Sequence, residues 1–536
     1  METVEGLFKR LEQLNDIGAS LSNERNLDRL LEKILVAAKT ITLADGGTLY
    51  RMSEDRQRLH FAIVRTDSLG IAFGGTSGNP TSSKFPDLSL YREDGSPNNS
   101  MVAAYAAITG KTVNIADAYE AEGFDFSGTR RFDAGTGYRS KSFLTVPMKN
   151  HEGEIIGVLQ LINAIHPESG VVRAFSLSDQ RLAESLASQA AIALTNRQLV
   201  QQLEELFESF IKLINTAIDE KSPYTGGHCQ RVPELTMLLA EAVNDTTDGP
   251  LADFHLTDKD RYELKIAALL HDCGKVTTPV HVVDKATKLQ TLFDRIQLVD
   301  TRFEVLKRDA EIEMLRAIAD GGDRVELEKR YRMRVALYDE DRAFLRKTNI
   351  GGERMNDEDV ERVKRIGRDY RWRNPVGEDV PFLSDDELEN LTIRAGTLTA
   401  AEREIINHHI VATIKMLEQL PWPKHLKNVP EYAGGHHERM DGKGYPKGLK
   451  RDQMSWQARM MGIADIFEAL TAKDRPYKEA MKLSQALSIM ENFKNGGHID
   501  PDLFAVFKEK EVFSAYARKF LGEGQIDIGA EQTTDA

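Results

Sequence analysis

The chain has 536 residues, of which 41% are apolar and 29% charged, so it has a globular composition and is too long for one ordinary core. A net charge of −14 at pH 7 excludes a general nucleic-acid-coating protein, and the apolar runs are far too short to span a bilayer. The charged amphipathic N-terminus lacks the apolar segment of a signal peptide, and only two cysteines occur, Cys229 and Cys273. These features predict a multidomain cytoplasmic protein without a disulfide framework, a membrane span or a nucleic-acid polymer as partner.

Residues 1–175 have the pattern of an α+β domain. Helical periodicity covers roughly 3–22 and 26–40, and MVAAYAAITG predicts a further helix that ends at Gly110. Strand-like runs are GTLYRM, HFAIVR, FLTVPM and IGVLQLIN, and the polar segment NHEGE between the last two predicts a β-hairpin.

The order of these elements, the hairpin FLTVPMKNHEGEIIGVLQLIN and the stretch RRFDAGTGYRSKS together resemble a GAF sensory domain. The second stretch is similar to the signature region of cyclic-nucleotide-binding GAF domains, although the Asn-Lys part of that signature is not found. The similarity involves Phe132, Asp133, Thr136, Gly137 and Tyr138. It implies a small-molecule ligand, with a cyclic nucleotide as one candidate. The adjacent Arg130 and Arg131 are otherwise interpreted as a solvated charge pair.

A long helix is predicted over residues 176–220. From residue 192 to 217 its apolar positions alternate spacings of four and three, as in a coiled coil, with one polar position at Asn196. Upstream, Ser185 and Gln189 interrupt this seam, which favours packing of that part on its own domain. We therefore expect residues 192–217 to form a parallel homodimer, in which Asn196 sets the register. The apolar seam consists of Ile192, Leu199, Leu203, Leu206, Phe210, Leu213 and Ala217.

The remainder, 221–525, has an almost wholly helical pattern, with a charge-dense helical insertion at about 290–395. We interpret this insertion as mostly a solvated structural arm, with a regulatory or dimerising role as the alternative. The tail after Gly522 is polar and is expected to be disordered, with residues 526–536 assigned as a separate disordered tail.

Histidines and isolated carboxylates recur along this helical part. A lone histidine on an apolar helix is usually a satisfied core residue, and two histidines in a loop can be solvated. Asp272 and Asp465 are harder to explain, since burying a carboxylate without a partner costs several kcal/mol. Divalent cations can balance such carboxylates, and the absence of a thiolate cluster disfavours a closed zinc site. The candidate ligands are His228, His271, Asp272, His408 or His409, His436, His437 and Asp465.

An adjacent His-Asp pair allows the aspartate to bridge two cations. Two cations about 3.5–4 Å apart can stabilise both the attacking and the leaving oxygen of an in-line phosphoryl displacement. The pattern therefore predicts hydrolysis of a phosphodiester or a phosphomonoester.

Three motifs resemble those of the HD-GYP family of cyclic di-GMP phosphodiesterases. In chain order they are LLHDCGKVTTP, HHERMDGKGYPKGL and IADIFEALTAKDRPYK. The resemblance covers about 220–287 and 396–505, and it implies an all-α HD-type phosphohydrolase domain regulated by the GAF domain. It also implies two divalent cations, Fe or Mn, bridged by Asp272. The implied metal ligands are His228, His271, Asp272, His409, His436, His437 and Asp465.

The same resemblance implies roles for substrate-binding residues. Lys275 would neutralise charge in the transition state beside the catalytic Asp272, and Tyr445, Arg475 and Lys478 would contact cyclic di-GMP. Some family members carry a glutamate where this chain has Tyr224, so we expect a dinuclear site, and the product is pGpG, GMP or both. The alternatives are a silent cyclic di-GMP-binding adaptor and an HD phosphohydrolase for another cyclic dinucleotide.

Overall fold

The computed structural model describes residues 4–24, 26–221, 227–352, 354–473 and 480–528. Two compact units divide the chain, Met1–Phe207 and Glu208–Ala536. The boundary lies inside one continuous helix, whereas the sequence placed domain limits at the two ends of that helix. Within the described ranges, no helix combines the length and the apolar character needed to cross a bilayer.

The first unit contains an α+β domain, as predicted. Its helices are α1 (Val4–Asn23), α2 (Leu27–Thr42), α3 (Val102–Thr109), α4 (Ser127–Thr136) and the first part of α5 (Leu177–Lys221). Its strands are β1 (Ala44–Met52), β2 (Arg58–Thr66), β3 (Ile71–Gly74), β4 (Leu88–Ser89), β5 (Val113–Ile115), β6 (Phe143–Lys149), β7 (Ile155–Ile165) and β8 (Val172–Arg173).

These strands form one antiparallel sheet in the order β3-β2-β1-β7-β6-β5, with β4 on β2 and β8 on β7. The predicted hairpin joins β6 to β7, with Val146 opposite Leu159. One core lies between the sheet, α2 and the first part of α5, and includes Ile34 and Leu186. Gly110 ends α3 with φ 64°, the left-handed conformation that a glycine adopts without strain.

The second unit is predominantly helical. Its helices before the insertion are α6 (His228–Asn244), α7 (Asp258–Leu270) and α8 (Val280–Val283). Those of the insertion are α9 (Ile296–Ala319), α10 (Arg324–Asn349), α11 (Asp357–Asp369) and α12 (Asp385–Leu391), with a small hairpin of β9 (Arg371–Arg373) and β10 (Asp379–Pro381). The remaining helices are α13 (Ala400–Glu418), α14 (Val429–Gly434), α15 (Trp456–Thr471), α16 (Leu483–Asn495), α17 (Pro501–Glu509) and α18 (Val512–Phe520).

The insertion is a folded subdomain rather than a solvated arm. Phe303, Tyr338 and Phe382 lie in a buried apolar cluster of its own. The dense charge that suggested an arm lies on its outer faces, where ion pairs such as Arg324 to Glu328 join successive helical turns.

The polar tail is also partly ordered. Gln525 is buried and donates hydrogen bonds to the carbonyls of Thr471 (2.9 Å) and Met481 (3.1 Å), so the expectation of disorder after Gly522 is wrong there. Ser484 and Asp527 are also hydrogen-bonded, and residues 529–536 lie outside the described residues.

The helix α5 has the two kinds of surface that its sequence suggested. Between Leu182 and Leu194 its apolar face is buried in the core of the first unit. Farther along, the proposed seam is exposed, with 64% of Leu203 and 62% of Leu213 accessible, while Ile211 and Ile218 are buried on another face.

Candidate metal centre

The second unit brings all seven predicted ligands into one cluster, of which His437 and Asp465 are half-buried and the other five buried. His228 is the first residue of α6, His271 and Asp272 directly follow α7, and His409 lies in the middle of α13. The remaining three are His436 and His437, just after α14, and Asp465 on α15. Of the two adjacent histidines on α13, His409 is buried and His408 is exposed, which agrees with the choice of His409.

One half of the cluster surrounds Oδ2 of Asp272. This oxygen lies 3.0 Å from Nε2 of His228 and 3.3 Å from Nε2 of His271. Asp465 approaches the same centre, with its Oδ1 3.3 Å from Nε2 of His228. Ligand atoms of His228, His271 and Asp272 lie within 4.8 Å of one another, so they surround one position that a cation can occupy, and Asp465 lies beside it.

The other half surrounds Oδ1 of Asp272, which lies 3.3 Å from Nε2 of His409. Potential ligand atoms of His409, His436 and His437 lie within 4.8 Å of one another. Oδ1 of Asp272 and the Nε2 atoms of His409 and His436 are buried without a hydrogen-bond partner. Buried polar atoms are almost always paired, so three unpaired ligand atoms that share one space fit a divalent cation. Asp272 faces both halves, as a bridging carboxylate would.

Three of the imidazoles are oriented by the same local device. Nδ1 of His271 lies 2.7 Å from the carbonyl of Ala268, and Nδ1 of His436 lies 2.7 Å from that of Ala433. His409 makes the equivalent contact to Ile406, also three residues earlier. A proton held on Nδ1 leaves the Nε2 lone pair directed towards the cluster, which is the tautomer a metal ligand requires.

His228 is oriented by a carboxylate instead. Its Nδ1 lies 2.6 Å from Oε2 of Glu468, and Arg231 donates to the other oxygen of Glu468 at 2.8 Å. Burial raises the pKa of Glu468, but His228 and Arg231 outweigh it and lower that pKa to about 2. Sequence reasoning missed Glu468. The available signal was its spacing of three residues from Asp465, which puts both carboxylates on one face of α15.

The remaining charges of the cluster are mutually dependent. Burial would raise the pKa of Asp272, yet Lys275 and His271 hold it well below its usual range. Burial lowers the pKa of His437 to about 4 and that of His436 well below its usual range, so both imidazoles are neutral at pH 7. Metal ligation requires ionised carboxylates and neutral imidazoles, and Asp272, His436 and His437 already have those forms. Burial lowers the pKa of His228, but the carboxylates of Glu468, Asp272 and Asp465 outweigh it and raise that pKa.

The turn after α7 packs tightly against α13. The N–H of Gly274 donates to the hydroxyl of Thr413 at 2.9 Å. A Cβ atom at Gly274 would lie 2.0 Å from the carbonyl oxygen of His409, so only glycine allows this approach. This contact places Asp272 beside His409, although the two residues are far apart in the sequence.

The predicted substrate-binding residues are only partly described. Lys275 donates to Oδ2 of Asp272 at 2.5 Å, and Tyr445 stacks on His437 with ring centroids 4.9 Å apart. The loop that carries Tyr445 is held by buried Glu438, which accepts from the N–H groups of Lys447 (2.7 Å) and Leu449 (2.8 Å). Arg475 and Lys478, like Tyr224, lie outside the described residues.

Comparison with known families agrees with both halves of this architecture. A GAF domain model matches residues 26–194, and two HD domain models match residues 225–337 and 355–503. The second interval includes the first part of the charged insertion, and the third begins inside that insertion.

Curated relatives match shorter segments. The chain is 40% identical over 116 residues to the 3'3'-cGAMP-specific phosphodiesterase 3 of Vibrio cholerae, which is 22% of this chain and 24% of that relative. It is 44% identical over 78 residues to the 3'3'-cGAMP-specific phosphodiesterase 1 of Vibrio cholerae, which is 15% of this chain and 18% of that relative. It is 32% identical over 133 residues to a cyclic di-GMP phosphodiesterase of Thermotoga maritima, covering 24% and 35%. The chain thus spans about a third or less of the length of these relatives.

From the matching domain models and the fold, the chain carries a GAF domain followed by an HD domain.

Proposed function

We propose that the chain is a metal-dependent phosphodiesterase that hydrolyses cyclic di-GMP and is regulated by its GAF domain. The observation that carries the proposal is the buried cluster around Asp272, in which three ligand atoms have no hydrogen-bond partner. A structural polar core would pair these atoms, because each unpaired group costs about 1–3 kcal/mol. The names of the curated relatives support a cyclic dinucleotide as the substrate.

The proposed ligands divide into two sets that share Asp272. One set adds His228, His271 and Asp465, and the other adds His409, His436 and His437. Mixed imidazole and carboxylate ligands favour two divalent cations such as Fe or Mn. When bound, such cations supply Lewis-acid activation of a phosphoryl group.

The protein's own residues then bind and orient the dinucleotide. Lys275 is placed to neutralise negative charge that develops on the phosphoryl group beside Asp272. Tyr445 offers an aromatic face beside His437, and Arg475 and Lys478 supply positive charge for the second phosphate. The products are pGpG, GMP or both.

The regulatory part of the proposal rests on the exposed apolar seam of α5 between residues 192 and 217. Burying it against a second copy would form a parallel dimer, through which a ligand of the GAF domain acts on the HD domain. Both cysteines are free and buried, which is consistent with the reducing cytoplasm where cyclic dinucleotides act.

The test is hydrolysis by protein loaded with Fe or Mn. The wild type should convert cyclic di-GMP to linear products on chromatography, and an Asp272→Ala variant should not. Binding of cyclic di-GMP by the wild type without turnover would instead identify a silent adaptor.

A second candidate substrate is 3'3'-cGAMP, which is favoured by the names of two of the curated relatives. A competition assay with equal concentrations of both dinucleotides separates the two. Selective turnover of 3'3'-cGAMP would contradict cyclic di-GMP as the substrate but would still support a metal-dependent phosphodiesterase.

A further inference from the structure

The long helix α5 ends in direct contact with the turn that carries the candidate catalytic residues. Its last residue, Lys221, donates from Nζ to the carbonyl oxygens of Lys275 (3.2 Å) and Val276 (2.5 Å). This turn spans Cys273–Thr277 and follows Asp272 directly. The two partners of Lys221 are therefore backbone atoms, and the contact does not depend on the side chains of the turn.

The turn is held from two sides by different elements. Within the turn, Lys275 N–H donates to the carbonyl of Asp272 at 2.9 Å, Thr278 N–H to that of Lys275 at 3.1 Å, and the Thr277 hydroxyl to that of Gly274 at 2.8 Å. On one side, α13 binds it through Thr413 and Gly274. On another side, Lys221 provides a charged donor, and hydrogen bonds of this type are stronger than neutral ones.

Other contacts join the end of α5 to neighbouring ligand-bearing elements. Asp219 lies against the N–H of Gly227 and the thiol of Cys229, at the start of α6 where His228 lies. Glu208 forms an ion pair of 3.3 Å with Lys265 on α7, the helix that precedes His271. Because Ile211 and Ile218 are also buried, the last turns of α5 are packed into the second unit and are not a loose linker.

We propose that Lys221 is a positioning residue that couples the end of α5 to the backbone of the Asp272–Lys275 turn. A displacement of the helix end would move the carbonyls of this turn and with them the side chains of Asp272 and Lys275, relative to the ligands carried by α13, α14 and α15. The catalytic part of this inference rests on the proposed function, since it assumes that Asp272 and Lys275 act in hydrolysis. The mechanical part does not depend on it.

The mechanical part is tested without metal or substrate, in the full-length chain. Lys221→Met removes the donor, Lys221→Arg keeps a cationic donor, and Lys212→Met is a matched control on an exposed position of the same helix. Amide hydrogen exchange in the segment 272–278 should be about ten-fold faster in Lys221→Met than in the wild type. Unchanged exchange in Lys221→Met, or equal acceleration in Lys212→Met, would overturn the proposal.

The catalytic part is tested with the metal-loaded protein. Lys221→Met should lower kcat for the dinucleotide by about 10- to 100-fold, because small misplacements of catalytic groups have effects of this size. KM and bound metal should stay within two-fold of the wild type, and Lys221→Arg should recover most of kcat. A purely structural role would change metal content and thermal unfolding together with kcat, and that result would contradict positioning. An inactive wild type would refute the proposed function, whereas the exchange experiment would still decide whether Lys221 holds the turn.

Discussion

Replacing Glu468 with glutamine tests whether the cluster is a metal site or a polar core. Glu468 is fully buried, and its two oxygens accept separately from His228 and Arg231. Glutamine keeps the volume but has only one oxygen. With this oxygen on Arg231, its NH₂ group would face Nδ1 of His228. The imidazole would then carry its proton on Nε2, so the lone pair would no longer point at the metal position.

The magnitude follows from this change of tautomer. Loss of a partner that orients a ligating histidine typically lowers metal affinity by about 10- to 100-fold, or about 1.4–2.7 kcal/mol. Folding stability of the metal-free protein should also fall by about 1.5–3 kcal/mol, because the buried hydrogen bonds of His228 and Arg231 lose their charged acceptor. The two effects are measurable separately, since only the first requires metal.

The assay is competition with a coloured chelator at pH 7, with urea unfolding of the metal-free protein alongside. Glu263→Gln is the matched control, because Glu263 is buried on α7 and accepts from Asn428 at 2.7 Å without touching a proposed ligand. It should lose stability but keep its metal affinity within two-fold. Unchanged affinity in Glu468→Gln, or an equal loss in both variants, would refute the reasoning.

Three further predictions concern other parts of the chain. Gly274→Ala should lower stability by about 1–3 kcal/mol and reduce kcat, because its Cβ would lie 2.0 Å from the His409 carbonyl; wild-type unfolding and turnover would contradict this. Leu203→Asp should convert the proposed dimer to a monomer in light scattering, while Glu204→Gln should leave it intact; a dimer in both variants would exclude the seam. Burial lowers the pKa of Lys288 from 10.5 to about 8, so between those pH values the folded protein has lost a proton that the unfolded chain keeps. The free energy of unfolding of the wild type, relative to that of Lys288→Met, should therefore rise with pH over this window by up to about 1.36 kcal/mol per pH unit. A difference between the two proteins that stays constant with pH in urea unfolding would contradict this.

Much of the fold could be predicted because its signals are local. The capping box of Thr399 and Glu402 at the start of α13 is such a signal, since the two residues bond each other three positions apart. The β6–β7 hairpin likewise needs only its turn and the alternation of its flanking strands. The insertion was misjudged because its core residues, such as Phe303 and Phe382, lie far apart among charged neighbours. Gln525 was misjudged for a similar reason, because its partners Thr471 and Met481 are distant in the sequence.

In the candidate site, too, some features follow from the local sequence and others only from the folded chain. The buried carboxylates Asp272 and Asp465 were visible in the sequence because an ionised group in an apolar helix requires compensation. Periodicity could not choose between His408 and His409, since both faces of α13 are partly apolar, and only burial in the folded chain separates them.

By itself, the sequence determined many of the helices and strands, the domain order and the set of candidate metal ligands. Tertiary structure alone decided that Asp272 faces two groups of imidazoles. It also decided that Glu468 orients His228 across 240 positions and that Lys221 reaches a backbone 54 positions away. Helix caps and hairpins follow from bonds between near neighbours, whereas these contacts depend on how whole helices pack, which no local pattern encodes.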